Sequence, residues 1–145
     1  MTPVAGPDPL AMVGRLAGAG MEAQSYRLKI VSQNIANSRS TGATPGADPY
    51  QRKTIVFGAE LDRDVGALSV RVKRTDLDRS AFVVEHDPAH PAANDRGEVK
   101  LPNVNLLVEM SDMREANLSY EANLQMMKRA RSMIAATIDL LRSGS

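Results

Sequence analysis

Cysteine and tryptophan are absent from the 145 residues, and aromatics amount to three Tyr and two Phe. Without cysteine there is no disulfide framework, no thiolate metal site and no Cys nucleophile. Aromatic side chains bury about 150–250 Å² each and dominate most cores. Their scarcity points away from a self-sufficient globule and toward long helices packed through aliphatic and Met side chains. An excess of one charge is lacking too. The 18 Lys and Arg against 17 Asp and Glu leave a net charge of +1, which excludes a strongly charged nucleic-acid or membrane binder on bulk charge. No run of about 18 apolar residues occurs, so no transmembrane helix is expected. Residues 1–10 hold Pro3, Pro7 and Pro9 and no basic residue, and Arg15 and several glycines break the apolar stretch that follows. No cleavable signal is expected there.

Asp8-Pro9 suits a helix start, Asp as N-cap and Pro at the first helical position. Leu10, Val13, Ala17, Met21, Leu28, Val31 and Ile35 then follow a three-to-four spacing up to Asn37. Gly14, Gly18 and Gly20 weaken that helix by about 1 kcal/mol each relative to Ala, so its first half needs packing from outside. Residues 38–49, rich in Ser, Thr, Gly and Pro, read as a loop. Four short runs rich in β-branched residues follow: Lys53–Phe57, Leu68–Lys73, Ala81–Glu85 and Glu98–Leu101. They predict one small sheet, with Leu68, Val70 and Val72 on its buried face and a long loop over residues 87–97.

The C-terminal segment carries the clearest pattern. From Leu106, alternating steps of four and three reach Met110, Met113, Asn117, Tyr120, Leu124, Met127, Arg131, Ile134, Ile138 and Leu141. This heptad seam predicts a coiled-coil helix about 50 Å long, with Asn105 as N-cap and Gly144 past its end. Asn117 and Arg131 break the apolar seam. They either snorkel to solvent at its rim or set register and partner choice. The expected architecture is α+β, with residues 8–37 and 104–145 pairing as an antiparallel helical core. Residues 38–103 then form a loop and small β-rich insertion, and residues 1–7 an extension.

Candidate chemistry is thin. In Glu85-His86-Asp87-Pro88-Ala89-His90 the two His are spaced as zinc ligands on a helix would be, but Pro88 and Pro91 forbid the helix. A turn with a His hydrogen-bonded to backbone is the expectation. No G-x-S-x-G, G-x-G-x-x-G or P-loop occurs, and Asp76 with Asp78 reads as a loop pair. No catalytic, cofactor or metal residue is assigned. Two basic clusters, Lys128-Arg129 with Arg131 and Arg71 with Lys73 and Arg74, lack neighbouring aromatics for stacking on nucleic acid. They are better read as solvated faces or intersubunit salt bridges. Eight Met, five on the last helix, support adaptable helix packing.

Asn34-Ile35-Ala36-Asn37 before a Ser/Thr-rich loop resembles the N-terminal signature of bacterial flagellar rod and hook proteins. Asp87-Pro88 with His90-Pro91, then Pro102-Asn103-Val104-Asn105, Glu109-Met110 and Tyr120-Glu121-Ala122-Asn123, are similar to the proximal-rod members of that family. The similarity spans about Leu10 to Leu141. Ala89 stands where the family commonly has Gly, and Leu118 where Arg often precedes the Tyr-Glu-Ala-Asn element. The resemblance implies antiparallel terminal helices and unfolded export by the flagellar export apparatus. It also implies polymerisation with copies of itself and other rod proteins into the basal-body rod across the periplasm. The implied partners include the adaptor at the membrane ring and the bushing around the rod; neither nucleic acid nor a small-molecule substrate is implied. A soluble coiled-coil adaptor or secretion chaperone is the rival expectation.

Overall fold

The computed structural model describes Gly6 and residues 8–145; the rest of the expected extension, residues 1–5 and 7, lies outside the described residues. Element order is α1 (Pro9–Ala36), β1 (Lys53–Asp62), β2 (Ala67–Leu77), β3 (Val83–His86), β4 (Glu98–Leu101) and α2 (Leu106–Ser143). Two long helices thus flank a small β insertion, the α+β arrangement expected. The caps follow the sequence. Asp8 Oδ1 accepts the Leu10 N–H at 3.1 Å, and Asn105 Oδ1 accepts those of Leu107 at 3.0 Å and Val108 at 3.3 Å, satisfying N–H groups that the first turn leaves unpaired.

The four strands do not form the single sheet expected. Among the described residues β1 pairs with β2 and β3 with β4, as two separate two-stranded sheets of strands adjacent in sequence. The first two strands also run 10 and 11 residues, past the β-branched runs and into stretches such as Gly58-Ala59-Glu60. Ladder hydrogen bonds override weak local propensity there.

The chain divides into two compact units, each drawing on both helices and on the insertion: Met1–Tyr26, Phe57–Lys73 and Ala116–Ser145 form one, Arg27–Val56 and Arg74–Glu115 the other. This cuts across the helical-core and insertion segments read from element order. In the first unit the helices run antiparallel on small residues. Ala17, Ala19, Ala23, Ala116 and Ala130 are buried, and a Cβ added at Gly20 would lie 2.8 Å from Asn123 Nδ2. The tip of the β1–β2 ribbon turns through Gly66 at φ +65, and Arg15 reaches it with ion pairs of 3.4 Å to Asp62 and 3.1 Å to Asp64. Along β2 the expected buried face holds only at Val72, half-buried between exposed Arg71 and Lys73; Leu68 and Val70 are exposed and Ser69 is buried instead, its hydroxyl 3.4 Å from the Glu60 carbonyl.

In the second unit β3 and β4 are antiparallel, Val83 opposite Leu101 and His86 opposite Glu98. Gly97 closes their connection at φ +74, where a Cβ would meet Pro88 Cγ at 2.8 Å and His86 Cε1 at 2.9 Å. Ile30, Val31, Ala92 and Val99 supply the buried apolar groups.

Candidate functional site

Two buried polar side chains mark the second unit. Glu109 is 0% exposed and Asn34 is 1% exposed. Burying polar groups costs free energy unless they are hydrogen-bonded, and here all four valences of the Asn34 amide and both Glu109 carboxylate oxygens are bonded. Asn34 Nδ2 donates to the Lys53 carbonyl at 2.8 Å and to Glu109 Oε2 at 3.2 Å. Its Oδ1 accepts the Lys53 N–H at 2.9 Å and the Tyr50 hydroxyl at 2.8 Å. One Asn of α1 thus mimics a strand partner for the start of β1 while holding the first turns of α2.

Arg52 completes the network. Its Nε donates to Glu109 Oε1, its Nη1 lies 3.2 Å from Asp78 Oδ2, and its backbone N–H donates to Asn103 Oδ1 at 2.8 Å. Burial opposes the Arg52 charge, but the bonds and charges of Glu109 and then Asp78 outweigh it and hold the guanidinium pKa above its usual value. Burial, followed by the Glu109 charge, raises the Tyr50 phenol, which keeps it a donor to Asn34. Asn103 Nδ2 donates to the carbonyls of Asp78 at 3.0 Å and Ser80 at 3.1 Å. Nearby, Arg27 pairs with Asp112 and, at 3.4 Å, with Glu115. Among the described residues no buried side-chain N or O lacks a hydrogen-bond partner. The buried polar atoms of the network are bonded within the chain, an arrangement suited to fixing geometry.

The motif residues divide accordingly. Asn34 and Asn103 enter this network. Asn37 ties the helix end, donating to the Gln33 carbonyl at 2.9 Å and accepting the Ser40 hydroxyl at 3.0 Å. Ile35 is half-buried beside them and Ala36 exposed. In the loop, Asp87 Oδ1 accepts the Ala89 N–H at 3.3 Å and His90 Nδ1 accepts that of Ala92 at 3.0 Å, the backbone-bonded histidine expected. Asp87, Pro88 and Pro91 are exposed, and Pro102 is buried under the α2 start. Asp76 lies at the end of β2, paired with Arg74 at 2.9 Å. Tyr120 and Asn123 are half-buried, whereas Glu121 and Ala122 face solvent. Among the described residues no group of three or more His, Asp or Glu is placed to hold a metal ion.

The expected seam is only partly brought together. Ala17 and Val31 are buried; Leu10, Val13, Leu28, Ile35, Met113, Tyr120, Leu124, Met127 and Ile134 are half-buried. Met110, Asn117, Arg131, Ile138 and Leu141 are exposed, Met110 at 56% and Leu141 at 73%. The inward line of α2 runs instead through Glu109, Met113, Ala116, Tyr120, Asn123, Met127, Ala130 and Ile134. It shares every second step with the expected line and takes the residue one position earlier at the others. The cause is steric. Gly20, Ala19 and Ala23 of α1 allow close approach, so small side chains face them and larger ones are displaced outward. Sequence reasoning missed Tyr50 and Arg52 altogether and read Asp78 only as a loop partner of Asp76; nothing in their local pattern marks them as a network.

Terminal helices flanking a small β insertion are what the resemblance to flagellar rod and hook proteins implies. Comparison with known proteins agrees: the family model described as "Flagellar basal body rod FlgEFG protein C-terminal" matches residues 96–140. The flagellar basal-body rod protein FlgC of Agrobacterium fabrum is 59% identical over 136 residues, covering 94% of this chain and 98% of that protein. The FlgC of Borreliella burgdorferi is 36% identical, covering 88% and 94%, and that of Escherichia coli O6:H1 34%, covering 86% and 92%. The chain belongs to the FlgC family of flagellar basal-body rod proteins. Nothing in these relatives favours the soluble adaptor or chaperone.

Proposed function

We propose that this protein is a structural subunit of the flagellar proximal rod, without a catalytic step. It polymerises with copies of itself and with other rod proteins into the shaft that transmits torque across the periplasm. Export is by the flagellar export apparatus, in an unfolded state, and further partners are the adaptor at the membrane ring and the bushing. Near-full-length identity to a named rod protein supports the reading. The observation that carries it is the pairing of a buried seam of Ala and Gly with large side chains left outside. Leu107, Leu118, Met126, Met133 and Leu140 are all more than half exposed on α2, which suits a subunit that completes its burial against neighbours.

The test is complementation of a strain lacking the gene, followed by isolation of basal bodies. The wild-type chain should be found in them. Ile134→Asp places a carboxylate in the inward line and Leu124→Asp one at a half-buried position beside it; each should abolish both incorporation and swimming. Normal motility with either variant would overturn the proposal.

A further inference from the structure

In the unit Arg27–Val56 and Arg74–Glu115, a groove of about 370 Å³ opens beside the β3–β4 pair. Val83 and Leu101 stand directly opposite each other there, so their side chains share one face. With Leu106, at the start of α2, they give the groove its apolar lining. Val83 is 56% and Leu106 42% exposed, so the chain leaves this lining open. Its polar lining is Arg39, Glu85 and His90. Arg39 and Glu85 are exposed, and neither side chain has a partner among the described residues. His90 uses Nδ1 to accept the Ala92 N–H, so the neutral ring carries its proton on Nε2, a donor left over for another group. Whatever fills the groove must bring apolar side chains, negative charge for Arg39 and His90, and a cation for Glu85.

The end of α2 has all three. Leu140 and Leu141 are exposed there, at 72% and 73%. Among the exposed large apolar residues of the two helices, only these two have both an acid and a base within two positions, Asp139 and Arg142. Both charged side chains are exposed and without a partner among the described residues, so nothing within the chain competes for them. The segment also closes a helix of 38 residues. The negative end of the helix dipole therefore lies beside Asp139 and adds to the attraction for a cation and an N–H donor.

We infer that residues 138–142 of a second copy dock in this groove. Leu140 and Leu141 cover Val83, Leu101 and Leu106, Asp139 meets Arg39, and Arg142 meets Glu85. The inference rests on the rod-subunit reading and adds to it which surfaces meet. The leucines supply the burial. The two charge pairs, opposite in sense, set the direction of the segment, because reversing it would bring Asp139 to Glu85 and Arg142 to Arg39. Groove and helix end are different surfaces. Each copy joined by one keeps the other free, so the contact propagates instead of closing into a dimer.

The chain has no cysteine, so Glu85→Cys with Arg142→Cys introduces the only two thiols, both at exposed positions. An Arg–Glu pair sets its Cα atoms further apart than the roughly 7 Å that a disulfide tolerates. Basal bodies from cells carrying the double variant are therefore treated with a short bismaleimide and run on a denaturing gel. A ladder of dimers, trimers and higher species is expected, absent from either single variant. Double-variant chain that enters basal bodies yet stays monomeric overturns the inference, as does an equal ladder from one single variant. Absence of the wild-type chain from basal bodies instead overturns the rod reading beneath it. If the cysteine pair blocks assembly, charge reversal decides: Arg39→Asp and Asp139→Arg should each reduce incorporation and together restore it. Single reversals without effect, or a pair that restores nothing, overturn the docking.

Discussion

The two units hold their stretches of α1 and α2 in two different ways. In the unit containing Asn34 and Glu109, α1 and α2 are joined by hydrogen bonds and a partly buried ion pair that also grip β1 and the strand-to-helix connection. In the unit containing Gly20 and Asn123, they meet through Ala, Gly and half-buried Met with few polar ties. The first arrangement fixes one geometry, because each partner is needed to satisfy another. The second relies on close approach and buries little side-chain area, while larger apolar residues remain outside. Specification and capacity for association are therefore separated along the same two helices.

The sharpest way to break the comparison is to unbalance the knot. Glu109→Ala leaves Arg52 with Asp78 alone and removes the acceptor of the Asn34 amide. Truncating one partner of a buried ion pair costs about 3–5 kcal/mol, a large part of the stability of a small domain. Urea unfolding of the purified chain, followed by circular dichroism, should show a loss of that size. A loss below about 1 kcal/mol, the range of exposed pairs, would show that the knot is not under tension from burial.

A smaller effect is expected at the other end. Ala116 is fully buried, and Ala116→Leu adds three carbons where α1 supplies Ala and Gly. Overpacking of this kind costs about 1–3 kcal/mol. Limited proteolysis with mass spectrometry should show α2 cut within residues 116–145 in this variant while fragments of the knot unit persist. Cleavage at both ends alike would mean that the two units do not differ in how they are held.

Much of this was legible in the sequence. The caps at Asp8 and Asn105, the helix lengths, the loop after Asn37 and the backbone-bonded His90 follow from local chemistry that tertiary context leaves alone. The seam phase on α2 was harder, since counting large apolar residues selects Met110 and Ile138. Counting the small ones selects Ala116 and Ala130 and brings Glu109 inward with them, and the glycines of α1 were the available hint that small residues would face each other. The polar knot was illegible because its members, Asn34, Tyr50, Arg52, Asp78, Asn103 and Glu109, lie on five separate stretches of chain. Each alone reads as an ordinary loop or helix residue. Leu68 and Val70 misled for the opposite reason: alternation sets two faces of a ribbon but not which of them is covered.

The finest test concerns the outer edge of the knot. Asp78 accepts the Ser80 backbone N–H at 2.8 Å, and this bond, the Ser80 hydroxyl and, against the effect of burial, Arg52 hold its carboxyl below the ordinary aspartate value of 3.8. A carboxyl whose folded pKa is depressed binds fewer protons in the folded state than in the unfolded one. Its contribution is therefore complete above about pH 5 and is lost as pH falls through 3.8 toward the lower folded value. The Asp78 side chain is 26% exposed, so solvent screens the pair and the effect should be smaller than that of Glu109→Ala. Asp78→Asn keeps the shape and removes the titration. The gap between wild-type and variant urea midpoints should then be constant from neutral pH down to about pH 5 and narrow by pH 3. A gap unchanged at pH 3 would mean that Asp78 holds the connection by its hydrogen-bond geometry, with its charge contributing nothing.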